Sequence, residues 1–242
     1  MSHAETPAAA ITLTQADIET ITTFKSVTAK DASKHAGHEE LTKVLLTLGT
    51  ERWELRGTDR YVAAYFSQGY AKDLDEKSAG ISVLLGKPEL DVIKKNVITV
   101  TPSQRKVNDV NVEFTLSENE RTYAITFTNA DGESTTVEAD NATEDGSYPA
   151  IDQLFPTETD ETESFPFDHT ALSKITDIVL PHEVGIQKSS RENTLRFDFS
   201  APSKYSSARI VLIRRLARHW PEDQTFKAIL MGSINSVFVP SA

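Results

Sequence analysis

The sequence predicts an α+β fold built on a repeated unit, and three observations carry that prediction. Between residues 11 and 143 the apolar spacing runs strand, helix, three strands, and then passes through the same order again. Short turn signals such as Gly49-Thr50 and Asp131-Gly132 separate the strand candidates, as antiparallel hairpins require. Finally, the 242 residues include no cysteine, so apolar cores must hold the chain, and a chain of this length buries enough surface to build them.

Residues 1–10 are rich in Ala, Pro and Thr and are expected to form a disordered N-terminus. Ile11-Thr12-Leu13 alternates as a strand should. Thr14-Gln15-Ala16-Asp17 has the form of a capping box with Asp in place of Glu, opening a helix that turns Ile18, Ile21 and Phe24 inward and ends near Thr28. Residues 41–48 and 52–56 read as two strands about the Gly49-Thr50 turn, and 61–66 as a third. The order then recurs. Residues 80–85 form a strand, Pro88 sits in the first turn of a helix, and Leu90, Ile93 and Val97 give that helix its apolar face. Strands follow at 98–101 with 110–116, at 122–128 and at 134–139. These elements make a first domain over 11–147. An acidic connector spans 148–164, and a shortened second domain spans 165–242. The second domain is expected to hold a helix over 169–179, a strand at 194–200, a helix over 205–220, and strands at 226–231 and 235–239.

Charge is unevenly placed. The formal balance is −11 overall, yet residues 1–164 carry 15 basic and 29 acidic side chains while residues 165–242 carry 10 basic and 7 acidic. A uniformly acidic surface opposes loose nucleic-acid binding, which is driven by Lys and Arg on phosphates, but a local basic face does not. The absence of cysteine excludes disulfides, thiolate metal sites and a Cys nucleophile, and suits a reducing compartment. No apolar run approaches the roughly 20 residues of a membrane span, and residues 1–10 lack a basic region followed by an apolar core. The cytoplasm is the expected location.

Catalytic constellations are absent. Five residues, not four, separate Gly80 from Gly86-Lys87, and Pro88 stands where a phosphate loop needs a hydroxyl. Gly232-Ser233 lies in a strand turn without the helix start of a nucleophile elbow. His35 and His38 beside Glu39 and Glu40 lack the spacing of a helical metal motif and read as a polar loop. The carboxylates of 152–163 read as a solvated tether. The sequence therefore predicts neither an enzyme, nor a metal site, nor a cofactor.

The cationic residues are more informative. On a helix over 205–220, Lys204, Arg214, Arg215 and Arg218 fall within an arc of roughly 100°, opposite Tyr205, Ala208, Leu212, Ile213, Leu216 and Trp220. The shorter helices add Lys25 with nearby Lys30, Lys87 with Lys94 and Lys95, and Lys174. These ten residues are the candidate DNA-binding set; the alternative is that they are the ordinary charged faces of amphipathic helices.

Gly57-Thr58-Asp59-Arg60-Tyr61-Val62-Ala63-Ala64 resembles the TDGHRLA or TDRYRLA signature in the middle domain of the bacterial sliding clamp, the beta subunit of DNA polymerase III. In the same order, Tyr148-Pro149-Ala150-Ile151-Asp152-Gln153-Leu154-Phe155-Pro156 is similar to the family's FPDYRRVLP segment, and Phe167-Asp168-His169-Thr170-Ala171-Leu172 to a domain start. The resemblance implies the DNA clamp fold: duplicated strand-helix-three-strand units, with helices lining a DNA-sized hole and sheets outside. It further implies a non-enzymatic processivity factor that encircles duplex DNA without reading sequence and tethers a polymerase or other clamp-binding peptide. A two-domain chain of this kind closes a ring as a homotrimer, with a clamp loader as a further partner. The implied peptide pocket has Thr58, Asp59, Arg60, Tyr61, Val62 and Ala63 as one wall, with Pro149, Gln153 and Leu154 nearby. Val62-Ala63 stands where the family has Arg-Leu, and no Met-Pro-Met-Arg-like segment is visible after Val239. The alternative reading of residues 58–64 is a tight turn feeding a core strand; the alternative function is a clamp-fold regulator of replication that closes no ring.

Overall fold

The computed structural model describes residues 8–30, 38–70, 74, 78–142, 148–155, 169–180, 194–199, 210–216 and 224–231. The first repeat consists of β1 (Ala9–Thr14), α1 (Gln15–Thr23), β2 (Val44–Leu48), β3 (Arg52–Thr58) and β4 (Val62–Gly69). The second consists of β5 (Ser82–Leu85), α2 (Lys87–Val97), β6 (Asp109–Leu116), β7 (Thr122–Asn129) and β8 (Ser134–Asn141). After these come α3 (His169–Thr176), β9 (Thr194–Phe199), β10 (Ile210–Leu216) and β11 (Gln224–Met231).

Local chemistry sets the boundaries. Thr14 is the N-cap of α1: its side chain accepts from the Asp17 amide at 3.2 Å, and Asp17 Oδ2 accepts from the Thr14 amide at 2.8 Å, completing the capping box. α1 tightens into a 3₁₀ turn at Phe24–Val27, which presses against β3. A side chain at Gly57 would bring its Cβ within 2.6 Å of Val27 and 3.3 Å of Phe24, so this close approach demands glycine. α2 starts on Pro88 in its first turn and buries Leu90, Ile93 and Val97 at helical spacing.

Among the described residues, eleven strands form one antiparallel sheet in the order β1-β6-β7-β8-β5-β2-β3-β4-β11-β10-β9. The two repeats exchange their first strands. β1 lies on β6 of the second unit, with Ile11 opposite Val112, and β5 lies on β2 of the first, with Leu84 opposite Leu45. α1 and α2 pack against each other over the shared apolar face. That core centres on Trp53, Phe24, Phe66, Phe114 and Phe127, all fully buried, with the Trp53 and Phe66 rings 5.2 Å apart. β4 continues the sheet into β11, from Gln68 opposite Gln224 to Val62 opposite Leu230.

The structure corrects two expected elements and adjusts a third. Residues 98–101 form no strand: the Thr99 and Val100 amides donate to the buried Gln15 Oε1 at 3.2 and 3.3 Å, and the ladder begins only at Asp109. Residues 210–216 are strand β10, not the middle of a helix, and pair with β9 on one side and β11 on the other. Ile210-Val211-Leu212-Ile213 is rich in β-branched residues, which suit a strand flanked on both sides, and such a short apolar run satisfies helical and strand patterns alike. β1 starts at Ala9, so the strand takes in two residues assigned to the disordered terminus. The strand expected at 235–239 lies outside the described residues.

Candidate partner-binding site and cationic surface

The turn between β3 and β4 is tied by its own side chains. Asp59 Oδ1 accepts from the amides of Tyr61 at 3.0 Å and Val62 at 2.8 Å. The Thr58 hydroxyl donates to the Val62 carbonyl at 2.9 Å and accepts from the Arg60 amide at 3.2 Å. Arg60 takes a φ of 78°, a left-handed conformation that a residue with a side chain holds only where its surroundings impose it. Thr58 and Asp59 are buried in this network, whereas Tyr61 stands 64% exposed at the tip.

Alternation along β4 then divides the next residues between two faces. Val62, Ala64 and Phe66 belong to the main core, while Ala63 faces the other way and meets Ile151 and Ile229, with Phe155 packed beside them. The 3₁₀ turn Ile151–Leu154 therefore lies over the face of β4 opposite the main core, where Ile151 and Phe155 meet Ala63. Arg56 fastens this turn. Its Nε contacts both carboxylate oxygens of Asp152 at 3.1 and 3.0 Å, its Nη2 reaches Glu54 at 2.8 Å, and its guanidinium lies 5.4 Å from the Tyr65 ring centre. Burial alone would lower the Arg56 pKa; the bond to Asp152 and the charges of Asp152 and Glu54 outweigh it and raise the value. The Tyr148 hydroxyl donates to the carbonyls of Arg56 at 3.1 Å and Lys43 at 3.4 Å, and burial pushes its pKa up. Gln153 is exposed and Pro149 half-buried beside this turn; the Leu154 side chain lies outside the described residues.

The cationic set divides differently. Lys87, Lys94 and Lys95 are exposed on α2, and Lys30 is exposed just after the 3₁₀ turn that follows α1. Lys30, Lys43 and Lys87 line a cleft of about 340 Å³ together with Glu89, Glu138 and Asp140. Lys25 is paired with Asp91 of α2, and Lys174 with Asp59. Arg214 and Arg215 sit on strand β10, where successive positions belong to opposite faces, so the helical arc that grouped them with Lys204 and Arg218 does not exist. Lys204 and Arg218 lie outside the described residues. On the second unit Asp109 and Glu113 lie on the exposed face of β6, opposite the core-facing side on which α2 packs with Lys94 and Lys95, whereas Glu138 and Asp140 of β8 share the cleft with Lys87, and α2 also carries Glu89 and Asp91.

Sequence reasoning left several of these partners out. Arg56, Tyr65, Lys174 and Ile229 reach the site only through strand pairing and helix docking across long stretches of chain, which no local pattern records. The alternation of β11 was legible, but not which strand it would meet. Among the described residues no group of three or more His, Asp or Glu is placed to hold a metal ion, and no helix is long and apolar enough to cross a membrane. His38 meets Glu40 at 3.1 Å, and His35 lies outside the described residues.

No protein-family model matches the chain, and no curated protein matches it in sequence. Solved structures do match. The sliding clamp (DNA polymerase III subunit beta) of Pseudomonas aeruginosa, in a structure with griselimycin bound, aligns over 96% of this chain and 67% of its own, with a TM-score of 0.62 at 12% identity. The beta subunit from DNA polymerase of Streptococcus pyogenes gives 0.62 at 12% identity, over 96% of this chain and 68% of its own. DNA polymerase III subunit beta of Borrelia burgdorferi, in complex with a natural product, gives 0.58 at 11% identity, over 96% and 65%. The chain thus spans about two thirds of the length of these clamps, and its doubled units with exchanged first strands have the fold of the DNA sliding clamp.

Proposed function

We propose that this protein is a non-enzymatic, clamp-like processivity factor of DNA replication that encircles duplex DNA as a homotrimer and tethers a polymerase through the surface formed by residues 58–63 and 149–155. The observation that carries the reading is the separation of charge on the second unit. Lys94 and Lys95 of α2 lie on one side of the sheet and Asp109 and Glu113 of β6 on the other. A helix face of this kind attracts phosphates weakly and without base readout, while acidic sheets repel DNA from the outside, so an overall charge of −11 accords with a duplex threaded past the helices. Size-exclusion chromatography with light scattering tests the assembly: a trimer is expected, and a concentration-independent monomer overturns the ring. Retention on circular but not linear DNA tests encirclement. Griselimycin, bound by the Pseudomonas clamp, is the ligand to try on this surface: calorimetric binding that is lost in Ala63→Asp is expected, and binding unchanged in Ala63→Asp, or none to the unaltered protein, counts against the pocket.

A second reading, a clamp-fold regulator of replication that closes no ring, is favoured by the pairing of Lys25 and Lys174 with carboxylates and by the strand conformation of 210–216. These withdraw cations from the proposed DNA face. The light-scattering result separates the two readings.

A further inference from the structure

We propose that Lys174 is a positioning residue for the exposed turn at 58–61, holding Tyr61 in place through Asp59 from a helix 115 residues away in sequence. The proposal rests on the reading of that turn as a wall of the partner site. Asp59 is only 5% exposed, and its two oxygens are divided between two tasks. Oδ1 accepts from the Tyr61 and Val62 amides at 3.0 and 2.8 Å, and Oδ2 pairs with the Lys174 ammonium. A carboxylate this buried keeps its place only while both of its oxygens have partners. Without Lys174 it turns toward water and releases the two amides that follow Arg60, loosening one side of the turn that holds its left-handed backbone.

Lys174 is itself rigidly placed. Its carbonyl accepts from the Ser26 hydroxyl at 2.6 Å, the Val179 amide donates to the Thr23 hydroxyl at 3.0 Å, and Ile175 and Ile178 are buried in the main core. The ion pair therefore transmits the position of α3 to the turn. This matters because Tyr61 is an aromatic ring held largely in solvent. Such a ring contributes to binding in proportion to how well its backbone is arranged beforehand, since ordering the turn on contact subtracts from affinity. The same pairing removes Lys174 from the cations available to DNA.

Amide hydrogen exchange on the full chain, read by NMR, tests the proposal together with griselimycin titration. In Lys174→Met the Tyr61 and Val62 amides are expected to exchange at least tenfold faster while those of Leu55 and Phe66 in the neighbouring strands keep their protection; Lys174→Arg is expected to behave as wild type. Because the two side chains act through one contact, Lys174→Met with Asp59→Asn is expected to be no faster than Asp59→Asn alone. Griselimycin affinity is expected to fall at least fivefold in Lys174→Met and to be restored in Lys174→Arg. Wild-type exchange at Tyr61 and Val62 in Lys174→Met, or equal loosening of Leu55 and Phe66, overturns the positioning role. Failure of the unaltered protein to bind griselimycin overturns the reading of the turn as a binding wall instead, and the exchange data distinguish the two.

Discussion

The two repeats share one build and occupy opposite situations. In α1 eight of nine residues are buried, whereas α2 buries three of eleven. β4 is paired along both edges, with β3 and β11, and most of its residues are buried on both faces. β8, its counterpart in the second unit, is paired along its length only with β7; β5 meets it at Asp140 and Asn141 alone, and its residues alternate between buried and exposed. The first unit is thus wedged between the second unit, α3 and β11, while the second meets solvent. The sequences follow the surroundings. α1 carries no Lys or Arg, and α2 carries three; β4 reads Val-Ala-Ala-Tyr-Phe, and β8 carries Glu138 and Asp140 on its exposed face. A duplicated unit is specialised by what packs on it, and charge records which copy faces water.

Substitutions break or sharpen that contrast. The largest effect is expected in the enclosed unit: Phe24→Ala should cost about 3–5 kcal/mol in urea unfolding, because the ring is fully buried against β3, while Val92→Ala on α2 should stay within about 0.5 kcal/mol. Equal costs would erase the distinction. Arg56→Met should destabilise by about 1–2 kcal/mol by the same measurement, less than for a fully buried pair because Asp152 is half exposed. Tyr148→Phe removes the one hydroxyl proton shared between two carbonyls, a loss of about 1 kcal/mol at neutral pH.

The Tyr148 effect depends on pH in a definite direction. Burial raises the phenol pKa above its unfolded value of about 10, so the folded state holds the proton more tightly. The stability this confers is complete below about pH 10 and is lost as pH rises through the folded value. Alkaline unfolding of Tyr148→Phe should accordingly be less steep than that of wild type. The smallest effect on stability belongs to the open unit: Lys94→Glu with Lys95→Glu should change it by no more than about 0.5 kcal/mol. The same pair should weaken DNA retention and reduce the slope of log affinity against log salt by about 2, as two lost phosphate contacts require.

The sequence made local chemistry legible and left long-range partners hidden. The capping box at Thr14 and Asp17, the inward Ile18, Ile21 and Phe24, and the buried stripe Leu90, Ile93 and Val97 all follow from neighbours within one or two turns. The meeting of residues 58–63 with 149–155 rested on resemblance, because spacing alone does not say that Ile151 will cover Ala63. Residues 210–216 misled because four apolar residues followed by two arginines fit a helical arc as readily as a strand, and pairing with β9 and β11 decided between them. The partner of Lys174 was hidden for a related reason: helical geometry shows that a lysine points outward from its own axis, but not that Asp59 waits there.

The pairing of β4 with β11 also governs how the molecule comes into being. The side chains of Gln68 and Gln224 that meet across this seam are 156 residues apart. A ribosome adding about 5–20 residues per second leaves β4 without that neighbour for roughly eight to thirty seconds. During this interval an apolar, β-prone edge confronts the crowded cell, the kind of surface on which nascent chains stick to one another. Fragments that stop near residue 142 carry the same open edge permanently and should self-associate.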